Sequence, residues 1–221
     1  MDELIYNFFN IDIMKEVFPL MLRGAGMTLL LCLAVIPLGL LGGLLVALAT
    51  RTKYRMLRYA VIALIDLFRA VPPLVLLIFV YAGLPFAGVE ISPFTAVCVA
   101  FLLNNSAYFA EIYRAGIDSI GAGQFEAARS TGLSGIQTMR YVILPQATRN
   151  VLPDLLSNII EIVKLTSIAS VVSFQELLYS ADMARSVTYN ASPIVMAAAA
   201  YLIMLWPVVR LLSRLEHRVG H

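Results

Sequence analysis

Residues 24–50 read GAGMTLLLCLAVIPLGLLGGLLVALAT, 27 residues without one charged side chain. A helix crosses a bilayer core with about 20 mostly apolar residues, so this stretch is long enough to span. Four further segments qualify. Residues 59–84 contain Asp66, Arg69 and the pair Pro72-Pro73. Residues 93–113 follow Ser92. Residues 151–174 carry Asp154, Glu161 and Lys164, and residues 193–212 follow Ser192. Ser-Pro opens both the third and the fifth segment. The serine hydroxyl accepts a free backbone N–H of the first turn, and proline has no N–H to satisfy there. Pro207 is placed to kink the end of the fifth.

The expected fold is therefore all-α: a polytopic membrane protein with five transmembrane helices, forming a single domain over residues 1–221. The composition points the same way. Hydrophobic residues make up 60% of the chain and charged ones 14%, with a mean hydropathy of +0.84. A soluble domain carries about 25% charged residues. That difference excludes an ordinary cytosolic enzyme, a nucleic-acid-binding domain and a disordered scaffold. The net charge of +2 leaves no polyanion-binding footprint.

Cys32 and Cys98 lie far apart inside apolar runs and read as buried small hydrophobes. The histidines, His217 and His221, stand at the C-terminal end, and no H-E-x-x-H occurs, so no metal site is expected. The N-terminus, MDELIYNFF, is acidic and lacks the basic region of a signal peptide. We expect no cleavage there and insertion through a later helix.

Basic residues between the segments set the orientation. The first connection holds Arg51, Lys53, Arg55 and Arg58, and the second holds none. The third holds Arg114, Arg129, Arg140 and Arg149, the fourth Arg185, and the tail Arg210, Arg214 and Arg218. One side collects eleven basic residues, the other only Lys15, Arg23 and Arg185. The N-terminus is thus expected outside and the C-terminus in the cytoplasm.

The long connection at residues 118–150 is too polar to span and too patterned for a linker. Residues 124–130 favour a helix, and Gly132 suits a left-handed stop. Ser134 and Gln137 fit a capping box for a second short helix, which Pro145 is expected to break before the fourth span. The element predicted is a helix-glycine-helix knob at the cytoplasmic face.

This connection carries a resemblance. Glu126-Ala127-Ala128, three residues, Gly132, nine residues, then Val142-Ile143-Leu144-Pro145 resembles the EAA motif of ATP-binding-cassette importer permeases, E-A-A-x3-G-x9-I-x-L-P. Val142 replaces its isoleucine. Phe68-Arg69-Ala70-Val71-Pro72, Ala110-Glu111-Ile112-Tyr113-Arg114, Gly123-Gln124, Leu144-Pro145-Gln146-Ala147 and Lys164-Leu165-Thr166-Ser167 resemble the polar-amino-acid branch. Ala70-Val71 departs from the usual Gly-Thr, and Asp154 stands where the branch often has a second proline. The likeness covers residues 22–212.

The resemblance implies a type I ABC importer permease fold with a cytoplasmic coupling-helix loop. It implies that Glu126, Ala127, Ala128 and Gly132 dock into a groove of an ABC ATPase subunit. It also implies a second permease subunit, identical or similar, and a periplasmic amino-acid-binding protein. The chain itself is expected to be a transport subunit and not an enzyme. A P-loop requires Gly-Lys-Ser/Thr, since its lysine reaches the phosphates. The lysines here are Lys15, Lys53 and Lys164, and none follows glycine. ATP and Mg are therefore expected on the partner ATPase, with no cofactor in this chain.

Acid-base pairs recur at i, i+3: Asp66/Arg69, Glu111/Arg114 and Glu161/Lys164. On a helix such pairs share a face. An isolated charge at mid-bilayer costs about 2.5–3.5 kcal/mol on insertion scales, so either mutual neutralisation or a wet substrate path accounts for them. A zwitterionic amino acid needs a cation for its carboxylate and an acceptor for its ammonium. Glu161 and Lys164 offer both, with Asn158 one turn earlier and Thr166-Ser167 nearby, and Asp66 and Arg69 form a second candidate pair. Gly39 and Gly43 form a G-x-x-x-G suited to helix packing. Asn104-Asn105-Ser106 suits either a polar path or bonds between helices, and Trp206 suits interfacial anchoring.

Two rival functions remain at this level. An ion-coupled secondary amino-acid transporter or channel would need no docking knob. An intramembrane enzyme would need a nucleophile with a base at membrane depth, and the spans hold no histidine.

Overall fold

In hydrocarbon every backbone polar group has to be satisfied within the protein, and a helix does this within one segment. The computed structural model describes the backbone of residues 2–219 and the side chains of residues 3–214. His221 and the side chains of His217 and Arg218 lie outside the described residues. The described chain runs α1 (Asp2–Phe8), α2 (Ile11–Ala49), α3 (Arg55–Ala70), α4 (Pro73–Gly83), a 3-10 turn (Leu84–Ala87) and α5 (Pro93–Asp118). It continues through α6 (Ala122–Ser130), α7 (Gly135–Thr138), a π turn (Met139–Ile143), α8 (Leu144–Leu165) and a 3-10 stretch (Thr166–Val172). It ends with α9 (Leu177–Thr188) and α10 (Ser192–Val219). No strand occurs among the described residues.

Four helical stretches are long and apolar enough to cross a bilayer, and the broken pair α3–α4 raises the number to five. The expected second span is thus not one continuous helix. Val71 is extended, with φ −77° and ψ 127°, because the ring of Pro72 disfavours a helical residue before it. The first spanning helix, α2, begins earlier than the apolar run alone suggests, at Ile11, and holds Pro19 and Pro37 within it. At the third span the Ser92 hydroxyl accepts the Thr95 N–H at 3.1 Å, as a helix start requires.

The chain divides into two compact units. The first comprises residues 1–37, 72–101 and 160–209. Its core packs Val17 and Met21 of α2 with Leu177, Ala181 and Ala184 of α9 and Ala197 of α10. Thr28 is fully buried and its Oγ1 accepts the Leu177 N–H at 3.1 Å. The C-terminal end of α1 is fastened to the α9–α10 turn: Ala191 N–H donates to the Asn7 carbonyl at 2.9 Å, and Asn190 Nδ2 to the Tyr6 carbonyl at 2.8 Å.

The second unit comprises residues 38–71, 102–159 and 210–221. Its helices meet through small residues. A Cβ on Gly39 would stand 3.0 Å from Asn105 Cβ, one on Gly43 would overlap Phe109 Cβ, and one on Gly42 would overlap the Ser106 hydroxyl. The G-x-x-x-G of α2 is therefore a packing face against α5, and Gly42 belongs to it. One core cluster joins Ala47, Ile65, Ala107 and Ala110, and a second joins Ile120, Ile143 and Ala147.

Candidate coupling and translocation sites

The knob at residues 121–138 belongs to the second unit. α6 begins at Gly121, which is extended, and ends where Gly132 takes φ +85°. That left-handed conformation strains any residue with a Cβ, so glycine is needed here. α7 then starts with a complete capping box. The Gln137 N–H donates to Ser134 Oγ at 3.3 Å, and the Ser134 N–H donates to Gln137 Oε1 at 2.9 Å. Pro145 does not break this second helix. The chain passes from α7 through a π turn directly into α8, with the Leu144 N–H donating to the Met139 carbonyl. The wider turn and the position of Pro145 next to the start of α8 absorb its missing N–H.

Glu126, Ala127 and Gly132 are exposed, whereas Ala128 is buried in its own chain. Ala128 therefore seats α6, and Phe125 packs beside it on Ile120, Ile143 and Ala147. Gln146 Nε2 donates to Gln124 Oε1 at 3.2 Å and ties α8 to α6. The Glu126 carboxylate has no hydrogen bond or ion pair among the described residues, and Ile136 stands 82% exposed nearby in sequence. This face presents a carboxylate, a small residue and an isoleucine to whatever meets it.

The charged pairs divide. Glu161 and Lys164 of α8 form an ion pair within the first unit, each side chain about half exposed. Thr166 Oγ1 donates to the Val163 carbonyl at 2.6 Å, and Ser167 Oγ donates to the Lys164 carbonyl at 2.8 Å, so both hydroxyls are satisfied locally. Asn158, one turn earlier on α8, falls in the second unit, where its Nδ2 is buried without a hydrogen-bond partner among the described residues. Asp66 and Arg69 do not pair. Arg69 lies 4.0 Å from Glu111 and stacks over the Tyr108 ring at 5.5 Å, while Glu111 also holds Arg114 at 2.6 Å. Asn104 Nδ2 bonds between helices, donating to the Phe68 carbonyl at 2.9 Å. Asn105 Nδ2 and Ser106 Oγ are buried without hydrogen-bond partners among the described residues.

One polar residue was missed from sequence. Glu176 is fully buried in the first unit and caps α9. Its Oε1 accepts the Tyr179 N–H at 2.7 Å, and its Oε2 accepts the Leu178 N–H at 2.8 Å and the Tyr201 hydroxyl at 3.0 Å. Burial raises its pKa, and the three donors oppose that rise. The signal available was a lone acidic residue placed just before an apolar helix start.

These features define a multi-pass helical membrane protein with an exposed loop helix. Residues 39–221 match the family described as binding-protein-dependent transport system inner membrane components, and the chain belongs to that family. It is 42% identical over 175 residues to a probable amino-acid ABC transporter permease of Bacillus subtilis, YckA, covering 79% of this chain and 77% of that one. It is 34% identical over 211 residues to a probable glutamine ABC transporter permease of the same organism, GlnM, covering 95% and 98%. A solved amino acid ABC transporter with histidines matches at a TM-score of 0.87 and 40% identity, covering 93% of this chain and 96% of that one. An inward-facing MetNI methionine transporter matches at a TM-score of 0.75 and 22% identity, covering 90% and 96%, which speaks to the fold alone. The chain is thus a multi-pass inner-membrane protein with the fold of type I ABC importer permeases.

Proposed function

We propose that this chain is the permease subunit of an ABC importer that moves polar amino acids inward by alternating access. The observation that carries the reading is the exposed knob built around Glu126, Ala127 and Gly132 in a chain of this family. The N-terminus faces the periplasm and the knob and C-terminus face the cytoplasm, as the sorting of basic residues supports. A separate ATPase subunit binds ATP and Mg and seats the knob in its groove. Closure of two ATPases moves the knob, and α8, continuous with it through the π turn, carries that motion into the membrane. A second permease subunit and a periplasmic amino-acid-binding protein complete the assembly.

Within the spans, the half-exposed Glu161–Lys164 pair is the best-suited contact for a zwitterion. Arg69 is already engaged by Glu111 and Tyr108, so the Asp66/Arg69 position is the weaker candidate.

The test is reconstitution in proteoliposomes with an ABC ATPase subunit and a periplasmic amino-acid-binding protein from the same organism. Glu126→Lys reverses an exposed, unpaired charge, so stability stays within about 0.5 kcal/mol. ATPase co-purification and ATP-driven uptake are expected to fall at least about tenfold, the effect of one lost charged contact. Uptake that persists without the ATPase and follows an ion gradient overturns the reading in favour of a secondary transporter.

A further inference from the structure

The second unit holds two neighbouring cavities that no transport step uses. The first, about 430 Å³, is lined almost wholly by apolar atoms of Gly42, Leu45, Ala49, Val61, Phe68 and Leu102, among others. The second, about 320 Å³, is lined by Thr50, Arg51, Arg58, Ile62, Arg114 and Asp118. Ala49 and Thr50 adjoin at the end of α2, and Val61 and Ile62 adjoin on α3. The basic cleft therefore sits at the end of the apolar groove, beside the connections that carry the coupling knob.

We infer that this paired site binds an anionic phospholipid, with its phosphate among Arg51, Arg58 and Arg114 and an acyl chain in the groove between α2, α3 and α5. Charge supports that occupant. Arg51 is held by Asp118 at 2.8 Å and Arg114 by Glu111 at 2.6 Å, which fixes both guanidinium groups at the cleft. Arg58 lies over the Tyr59 ring at 5.6 Å and has no ion pair among the described residues. Lys53 and Arg55, both exposed, add charge on the same connection. An arginine fork suits phosphate oxygens better than a point charge does. The length fits as well. From Gly42 to Ala49 a helix rises about 10 Å, two-thirds of the roughly 15 Å half-thickness of a bilayer core. Ser106, whose hydroxyl has no hydrogen-bond partner among the described residues, lines the groove.

The inference rests on the functional reading only in assigning the cleft to the cytoplasmic leaflet. The site adjoins Asp118, the last residue of α5, four residues before α6. A lipid bound there braces the base of the knob.

The test is native mass spectrometry of the purified full chain titrated with palmitoyl-oleoyl phosphatidylglycerol or phosphatidylcholine, with free glycerol 3-phosphate as competitor. Phosphatidylglycerol is expected to bind at least about fivefold tighter than phosphatidylcholine, the effect of roughly one arginine near an anionic headgroup. Arg58→Gln, which breaks no internal ion pair, is expected to remove that preference at unchanged melting temperature. Ala49→Phe, which fills the groove, is expected to weaken both lipids. Equal binding of the two lipids to the wild type, or an unchanged preference in Arg58→Gln, overturns the site. Displacement by equimolar glycerol 3-phosphate overturns the lipid as occupant in favour of a free phosphate ester. ATP-driven uptake with no lipid preference sinks only this site. Lipid preference without ATP-driven uptake sinks only the transport reading.

Discussion

Arg69 turns away from Asp66, one turn earlier on α3, and faces Glu111 of α5 at 4.0 Å. Glu111 also receives two hydrogen bonds from Arg114, at 2.6 and 3.1 Å. One carboxylate thus serves two guanidinium groups from two helices, while Asp66 contributes only its charge, felt by Arg114, and makes no hydrogen bond or ion pair among the described residues. Glu111→Gln leaves both arginines without the carboxylate they touch, whereas Asp66→Asn breaks no hydrogen bond or ion pair among the described residues and removes only a longer-range charge near Arg114. We expect Glu111→Gln to cost about 1–2 kcal/mol, in the range of hydrogen bonds to charged groups, and Asp66→Asn to stay within about 0.5 kcal/mol. Thermal unfolding of both variants in detergent checks this, and equal losses would show that the group contributes nothing.

Gly43 brings α2 against Phe109 so closely that a methyl group has no room. Gly26, on the same helix, has nothing within 4 Å of an added Cβ. Helix propensity favours alanine at both positions by about 1 kcal/mol. Overpacking at Gly43 outweighs it, at about 1–3 kcal/mol. Gly43→Ala is therefore expected to lower the melting temperature and Gly26→Ala to leave it unchanged or raise it. A stabilised Gly43→Ala would mean that α2 and α5 part readily.

Glu176 makes a pH-dependent contribution whose sign follows from its burial. Its pKa is higher in the fold than in the unfolded chain. The folded state thus favours the protonated form, and the contribution is fully present below the unfolded value. It is lost as pH rises through the raised folded value, then stays constant. Melting temperature followed from acid to neutral pH is expected to show this fall in the wild type and not in Glu176→Gln. Glu176→Ala removes the cap of α9 at every pH and is expected to cost about 1 kcal/mol or more. A wild-type fall that survives in Glu176→Gln assigns it to another group.

What was legible in the sequence was local. Gly132 and the Ser134–Gln137 box depend on a few consecutive residues, and the structure forms both. The apolar runs gave five spans because lipid permits few alternatives for them. Partners chosen across helices were not legible. Spacing put Asp66 and Arg69 on one face, yet packing of α3 on α5 offered Arg69 another carboxylate and an aromatic ring. Pro145 read as a break because its missing N–H is local, but the π turn before it is not signalled by any residue type. Gly42 was overlooked beside Gly39 and Gly43 because a five-residue motif does not say how wide a helix contact is. Glu176 was overlooked because its burial and its bond from Tyr201 come from packing remote in sequence, although its two backbone donors are local.

Glu161 and Lys164 pair with each other, and each remains about half exposed. A charge facing hydrocarbon is costly, so an ion pair left this open on α8 suits a wet cavity or a subunit boundary. Two roles then predict different outcomes for Glu161→Gln. If the pair only neutralises itself, the change strands the Lys164 ammonium, and the loss appears in expression and melting temperature with substrate affinity intact. If Glu161 receives the substrate ammonium, affinity for a zwitterionic amino acid falls about tenfold or more, the effect of one charge-assisted hydrogen bond. We expect the second outcome, with Asp66→Asn as a control that leaves affinity unchanged. The measurement is uptake against substrate concentration in proteoliposomes, at matched protein content. Unchanged affinity and rate in Glu161→Gln remove Glu161 from the pathway.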